Sequence, residues 1–401
     1  MDAHQAAERN RPIYALVDKR RENPVLFGLL LVLNVAIPKA GFKVGDVPIT
    51  FGYIYAVVLG IIYFPQGISR FMKADNARAF ILAYCAWILV FLVVCAYFCG
   101  IENMGFYFSM VFGFGVLPVV FMLSLSCDEP YPRALETYLM WSVRFAVVYG
   151  IFLFLYKMET GQFIEIPYLT VNADDVGKMD TKYIQRADDV SKLISTYNNG
   201  NIFGVCLLML IPLYDMLERR SVMKLLARCA LILTLSRTVW LVLMLYETFL
   251  VRRPLWQRVA MLLLGAIGIL TMLRLMGTGG EFLTDSTLGG RMTVVDQLRI
   301  SLFPLASFNY VSEIFWVSVA YFGGVIGVVT FAGLFVLIFL LFQYSGAAMP
   351  YRRAAMIGIV NFFLCSFVDA AANYIPTMFV FWLTVRVGLL EKERTYARHH
   401  L

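Results

Sequence analysis

The sequence has 401 residues, of which 60% are hydrophobic and 15% charged, and its mean hydropathy is +0.73. Soluble domains are about 45–50% apolar and about 25% charged, so this composition excludes a single soluble domain, a disordered chain and a disulfide-rich secreted scaffold. Long apolar runs also exclude an outer-membrane β-barrel, which leaves an all-α, polytopic membrane protein. The net charge of +7 is explained by basic loops, and no nucleic-acid partner is expected.

About twelve apolar runs approach the roughly 20 residues that a helix needs to cross a bilayer. We expect them to form one integral membrane domain over residues 1–401. The runs comprise residues 25–37, 49–64, 79–99, 105–126, 138–156, 202–217, 225–236, 239–251, 259–276, 314–342, 355–371 and 375–390.

The basic residues predict how these runs are oriented, because Lys and Arg concentrate in cytoplasmic connections. With the N-terminus inside, every second connection is the more basic one, and residues 1–24 and 391–401 become cytoplasmic segments. The basic residues of the short outer connections are Lys39, Lys43 and Arg237. Arg144 and Arg386 lie within apolar runs near their inner ends, and we expect both to reach the inner interface by snorkelling.

Two outer connections, residues 157–200 and 277–310, are much longer than the others. Long structured loops usually carry function, so we expect chemistry on this side of the membrane. In the first loop, the apolar spacing from Tyr183 to Ile194 predicts a short amphipathic helix. That helix either lies on the membrane surface or presents Arg186 to an anionic substrate.

An Asn-rich segment ends the first loop, and a Ser-Arg turn follows further along the chain. Small polar residues before an apolar run supply helix N-caps, but capping alone does not account for Asn198, Asn199 and Asn201 together. Their amides, with the N–H groups of a helix N-terminus, suit an anion or a sugar hydroxyl. Ser236 and Arg237 form a tight turn between two apolar runs. Arg237 either snorkels to the interface or has a functional reason to stand on the outer side.

Glycines and arginines mark the second loop. Its glycine clusters match neither a P-loop nor a dinucleotide-binding fingerprint. A helical spacing begins just after Arg291, which places Arg291 in a first helical turn, where anions are favoured, and Arg299 two turns on. Arginine offers a planar fork that matches phosphate oxygens. If Arg291 converges with Arg186 and Arg237, the three form a diphosphate site.

Histidine is absent from both outer loops, since the chain has only His4, His399 and His400. We therefore expect no metal site and no cofactor. An outer general base must then be a carboxylate or the substrate itself. The candidate carboxylates are Glu281, Asp285, Asp296, Glu313 and Asp369.

The order of these motifs resembles the bacterial O-antigen and exopolysaccharide polymerase/ligase superfamily, over about residues 196–342. In this stretch Gly200 stands where the family commonly has Pro within an Asn-Pro-Asn segment, and Asn309 precedes an aromatic residue at the loop exit. Phe308 occupies the position where ligases of the superfamily often carry a His, which favours a polymerase over a ligase. The segments that carry the resemblance are 196–204, 233–238, 289–291 and 308–327.

The resemblance implies a metal-independent glycosyltransferase of the Wzy polymerase type at the periplasmic face of the inner membrane. It would join oligosaccharide repeat units carried on polyprenyl diphosphate, with a chain-length regulator and a flippase of the same pathway as further partners. Arg237 and Arg291 would be catalytic, by stabilising the leaving diphosphate. Substrate-binding residues would be Arg186, Asn198, Asn199, Asn201, Ser236, Arg299 and Asn309. The alternatives are an O-antigen ligase, and a lipid-linked glycan flippase or another transporter of about twelve spans.

Overall fold

A computed structural model describes residues 24–44, 47–74, 76–124, 131–179, 192–251, 314–344, 349–369 and 371–389, with short pieces between 254 and 307. The described part is mostly helical, and 6 of its helices are long and apolar enough to cross a membrane. The chain is therefore a multi-pass membrane protein of the all-α class. The expectation of about twelve spans stays a prediction.

The helices are labelled in chain order, and several continue into π-helical turns. They are α1 (Pro24–Leu31, continued by Val32–Ala36), α2 (Phe51–Ala74), α3 (Asn76–Cys99), α4 (Met104–Val111, continued to Ser124), α5 (Tyr131–Thr160), α6 (Gly200–Leu217), α7 (Ser221–Leu233), α8 (Arg237–Leu245, continued by Tyr246–Leu250), α9 (Phe315–Tyr344), α10 (Met349–Ser366) and α11 (Ile375–Gly388).

A short antiparallel hairpin joins α1 to α2. Its strands are β1 (Gly41–Val44) and β2 (Val47–Thr50), and Gly41 pairs with Thr50 at the open end. This hairpin is not predicted by the apolar pattern, in which Ile49 begins an apolar run. The β-branched residues of β2 favour extended backbone, and they pair with β1 instead of extending α2.

The helical bundle has two ends that differ in what they carry. We call the end with residues 37–50, 161–179 and 192–199 the loop face, and the end with Glu218 the opposite face. The membrane helices run between these two faces.

Two glycines let neighbouring helices pack backbone to backbone. A Cβ atom on Gly67 in α2 would lie 2.0 Å from the carbonyl oxygen of Leu123 in the continuation of α4. A Cβ on Gly358 in α10 would lie 2.5 Å from the carbonyl oxygen of Met209 in α6. Small residues at such contacts are how membrane helices approach closely. The α6–α10 pair is antiparallel, so the C-terminal end of α10 returns to the loop face.

The described part of the first long loop is folded against the hairpin. The backbone N–H of Lys43 donates to Asp174 Oδ2 at 2.6 Å, and its Nζ donates to Asp175 Oδ1 at 2.6 Å. A small apolar cluster also joins this loop to α5; it comprises Leu153, Val171, Met179 and Ile194. Most of the predicted amphipathic helix, including Arg186, lies outside the described residues.

Ion pairs join the helices at the opposite face. Arg144 in α5 donates to both carboxylate oxygens of Glu218, at 2.5 and 2.7 Å. Arg228 in α7 lies 2.7 Å from Asp215 in α6 and 2.6 Å from Glu247 in the continuation of α8. The expectation that Arg144 snorkels is wrong, because its side chain is only 11% exposed and is paired with a carboxylate at the end of the adjoining helix.

Arg386 does not snorkel either. It lies in the last turn of α11 and is 3% exposed. Among the residues that the structure describes, none forms a hydrogen bond with its Nε. A cation in the last turn of a helix interacts favourably with the negative end of the helix dipole. This interaction explains why a buried arginine is tolerated at position 386.

Candidate functional site

The Asn-rich segment forms a tight turn at the loop face. A 3₁₀ turn over Ser195–Tyr197 is followed by Asn198 in the left-handed conformation, with φ of 55°, and by Asn199 as the N-cap of α6. Asn199 Oδ1 accepts hydrogen bonds from the backbone N–H groups of Asn201 and Ile202, at 2.8 and 3.2 Å. Helix capping therefore accounts for the side-chain oxygen of Asn199.

Buried side chains anchor this segment to two earlier helices. Ser195 Oγ donates to a backbone carbonyl oxygen of α5 at 2.6 Å. Thr196 Oγ1 and Tyr197 Oη donate to the carbonyl oxygens of Ala36 and Val35, at 2.6 and 3.0 Å, in the π-helical continuation of α1. Because these bonds are buried, the segment is held in place relative to α1 and α5 without help from a ligand.

The Ser-Arg turn joins α7 to α8. Leu235 has a φ of 52°, and Ser236 is the N-cap of α8, since its Oγ accepts from the backbone N–H of Val239 at 3.5 Å. Arg237 is the first residue of α8 and is partly buried. Capping explains Ser236. The position of Arg237 adds its charge to the positive end of the helix dipole, and such an arrangement attracts anions.

The Asn-rich segment and the Ser-Arg turn lie side by side. The backbone N–H of Leu193 donates to the carbonyl oxygen of Leu233 at 3.0 Å. A Cβ on Gly200 would lie 3.2 Å from the carbonyl oxygen of Thr234 and 2.8 Å from that of Leu193. Glycine at this position is thus required by the close approach of two backbones. Two motifs that are separate in the sequence form one surface.

Backbone strain concentrates in these two segments. Ser195, Asn198 and Leu235 have φ values of 49°, 55° and 52°. A non-glycine residue in this region costs of order 1–3 kcal/mol and persists where the surrounding structure holds it, which happens most often at functional sites. The one other non-glycine residue with positive φ in the described ranges is Tyr168, in the first long loop.

Asn198 is only 5% exposed and stands between the 3₁₀ turn and the N-cap Asn199. Its side-chain amide offers two donors and an acceptor to a polar ligand that reaches the loop face. Because the side-chain oxygen of Asn199 already caps α6, Asn198 is the stronger candidate of these two as a substrate contact.

A carboxylate reaches the same place from α10. Asn361 Nδ2 donates to the carbonyl oxygen of Leu208 at 2.8 Å, midway along α6. The chain beyond α10 then meets the start of α6, where Asn201 Nδ2 donates to Asp369 Oδ1 at 3.2 Å. The backbone N–H of Phe315, at the start of α9, donates to the carbonyl oxygen of Asp369 at 3.3 Å. Asp369 thus contacts both the Asn-rich segment and the first residue of α9.

Helix α9 is broken at Gly324, where φ is 62° and ψ is −162°. The N–H groups of Val325 and Ile326 donate to the carbonyl oxygens of Ser301 and Leu302, at 2.9 and 3.4 Å. A Cβ on Gly324 would lie 2.8 Å from the carbonyl oxygen of Ser301, so glycine is needed both for its φ and for its size. The described end of the second long loop is therefore docked into a break within a membrane helix.

The remaining predicted site residues lie outside the described residues, so their convergence with Arg237 stays a prediction. These are Arg186, Arg291, Arg299 and Asn309, together with the candidate bases Glu281, Asp285, Asp296 and Glu313. Within the described ranges, no group of three or more His, Cys, Asp and Glu side chains is placed to hold a metal ion.

No protein-family model and no curated protein matches the chain. What the described residues define is a class: a multi-pass membrane protein that carries a buried, strained polar site at one end of its helical bundle.

Proposed function

We propose that this chain is a polysaccharide polymerase, which transfers oligosaccharide repeat units between polyprenyl-diphosphate-linked intermediates. One observation carries the proposal: the contact between the Asn-rich segment and the Ser-Arg turn at the loop face. These are two of the segments in which the sequence resembles the polymerase superfamily. Their contact supports a shared site, since strained backbone of this kind clusters at functional sites.

The proposed setting is the bacterial inner membrane, with about twelve spans, both termini in the cytoplasm and the loop face toward the periplasm. The distribution of basic residues supports this orientation, because Lys and Arg are enriched on the cytoplasmic side. The connection that follows α6 at the opposite face contains Arg219 and Arg220, whereas the loop-face hairpin and the α7–α8 turn contain few basic residues.

In the proposed reaction, arginines bind the diphosphate of the donor and stabilise the charge that develops as it leaves. Arg237 and Arg291 take this role, since guanidinium groups match phosphate oxygens and preorganised charge is the largest usual contribution to such catalysis. No metal is required. The residues that would bind the glycan or the remainder of the diphosphate are Arg186, Asn198, Asn199, Asn201, Ser236, Arg299 and Asn309.

The broken helix α9 also makes a transporter the second candidate function, because interrupted membrane helices often bind substrate in transporters. At such breaks the freed N–H groups face the substrate. Here the N–H groups of Val325 and Ile326 already donate to Ser301 and Leu302. The break in α9 thus favours a docked loop over a transport site. A ligase is less favoured, since Phe308 replaces the histidine found in ligases.

The test measures glycan length in cells that depend on this protein for their surface polysaccharide. The variants are Arg237→Ala and Arg291→Ala, and the matched control is Arg219→Ala, an exposed arginine on the opposite face. On a gel that resolves polymer from single repeat units, we expect both site variants to lose long polymer and keep the single-unit product at a normal level of membrane protein. The control keeps wild-type lengths.

Two other outcomes would change the conclusion. If single units also disappear from the cell surface, ligation or flipping of the lipid-linked glycan is the activity. If glycan length is unchanged in both variants, Arg237 and Arg291 do not form the diphosphate site.

A further inference from the structure

We infer that Asp369 is the general base of the site and that Asn201 is the residue that positions it. This inference rests on the proposed function and names the group that removes the proton from the acceptor sugar hydroxyl. It starts from a hydrogen bond between residues 168 positions apart, with Asn201 Nδ2 donating to Asp369 Oδ1 at 3.2 Å.

The surroundings of Asp369 suit a base that acts on a bound hydroxyl. The residue is 4% exposed, so bulk water does not compete for its carboxylate. A carboxylate has two oxygens with about four lone-pair sites. The bond from Asn201 orients this carboxylate toward the first turn of α6. The same asparagine belongs to the first turn of α6, beside the buried amide of Asn198.

Three carboxylates described in the first long loop contact groups away from the Asn-rich segment. Asp174 and Asp175 bind Lys43 of the hairpin, and Glu165 accepts from the backbone N–H of Gly177. The histidines of the chain lie in the two terminal segments, which the proposed topology places in the cytoplasm. Asp369, in contrast, is a loop-face carboxylate in direct contact with the Asn-rich segment.

The chemical step balances with these groups alone. The acceptor hydroxyl oxygen attacks the anomeric carbon of the donor sugar and forms the new glycosidic bond. The bond between that carbon and the diphosphate oxygen breaks, and its electron pair leaves with the polyprenyl diphosphate. The hydroxyl proton passes to a carboxylate oxygen of Asp369 and is later transferred to water. No oxidant, reductant or metal enters the balance.

The first experiment uses the full-length protein in lipid nanodiscs with a polyprenyl-diphosphate-linked repeat unit as both donor and acceptor. Asp369→Asn keeps the size of the side chain but removes the base, so we expect kcat to fall by about 10²- to 10⁴-fold, the usual contribution of a general base. Binding of the lipid-linked unit, measured separately, stays within about threefold of wild type. Asp369→Glu restores part of the rate, and the control Asp175→Asn keeps it.

The role of Asn201 is tested through the pH dependence of the rate. A hydrogen bond to a carboxylate favours its charged form, so Asn201→Ala moves the acidic limb of the profile to higher pH, whereas Asn201→Gln moves it less. The backbone carbonyl oxygen of Cys365, in the last turn of α10, accepts from the backbone N–H of Asp369 at 2.8 Å. Cys365→Ser keeps this backbone contact and serves as a control that leaves the limb in place. An Asn201→Ala variant with reduced rate and an unshifted limb would contradict the positioning role.

The outcomes separate this inference from the proposed function. If wild-type protein forms no polymer from the lipid-linked unit, the proposed function fails. If wild type is active and Asp369→Asn retains more than about a tenth of its kcat, Asp369 is not the base, although the polymerase assignment stands. If Asp369→Asn loses binding as well as turnover while the protein stays folded, the carboxylate holds substrate and does not accept the proton.

Discussion

Removing the charge of Glu218 is expected to destabilise the fold by about 3 kcal/mol. Its carboxylate accepts two hydrogen bonds from Arg144, at 2.5 and 2.7 Å, one from the backbone N–H of Arg220 at 2.8 Å and one from Tyr214 Oη at 3.1 Å. The side chain of Glu218 has 0% of its surface exposed. Glu218→Gln preserves the shape but cannot pair with the guanidinium as an ion.

The magnitude follows from the pKa of Glu218. The hydrogen bonds from Arg144 are the largest cause that lowers this pKa from 4.5 to about 2. Each unit of pKa corresponds to about 1.4 kcal/mol of preference for the charged form, so the folded state gains about 3 kcal/mol from that charge. Breaking one side of a buried ion pair costs a similar amount in other proteins, about 3–5 kcal/mol.

The assay is a double-mutant cycle on the free energy of unfolding, measured in mixed detergent micelles for Glu218→Gln, Arg144→Met and the double variant. We expect the two single losses to be strongly non-additive, with a coupling of about 2–3 kcal/mol. Arg219→Gln, an exposed neighbour, is the control and changes stability by less than about 0.5 kcal/mol. A coupling below about 0.5 kcal/mol would refute the reasoning, because the pair would then contribute no more than a surface salt bridge.

The remaining predictions concern pH, packing, the loop and topology. Because the pKa of Glu218 is lower in the folded protein, the stability that its charge contributes is present above pH 4.5 and is lost as the pH falls toward 2. In thermal melts at acidic pH, wild type is therefore expected to lose stability over this range more steeply than Glu218→Gln. Gly67→Val places a side chain against a backbone carbonyl oxygen 2.0 Å away. The amount of folded, membrane-inserted protein is therefore expected to be well below the amount obtained with Gly60→Ala, whose nearest contact is a side chain at 3.0 Å. Lys43→Met breaks the tie to Asp175, and protease cleaves the first long loop faster while the melting temperature changes little. Arg219→Cys is labelled by a membrane-impermeant thiol reagent only in inverted vesicles if the opposite face is cytoplasmic.

The fold class could be predicted from the sequence because long apolar runs and sparse charge allow few alternatives. The helix starts were also near their observed places where a capping residue marks them, as Asn199 marks α6 and Ser236 marks α8. The hairpin was missed, since four residues of β2 are too few to separate an extended segment from the apolar run that follows.

The contacts of the candidate site could not be predicted because they depend on tertiary packing. Nothing near Asn201 in the sequence indicates that it bonds to Asp369, which is brought there by the antiparallel packing of α10 on α6. The partner of Arg144 was missed for the same reason. An arginine inside an apolar run has the same local pattern whether it reaches the interface or pairs with Glu218 on another helix.

The anchors of the Asn-rich segment set an order for the assembly of the protein during synthesis. Thr196 and Tyr197 bind carbonyl oxygens that were made 160 and 162 residues earlier. At about 5–20 residues per second, the ribosome needs about 8 to 30 seconds to reach them. During that interval the end of α1 lacks the two donors that hold it in the folded protein. The first helix to be made therefore reaches its final contacts only after the chain as far as Tyr197 has been synthesised.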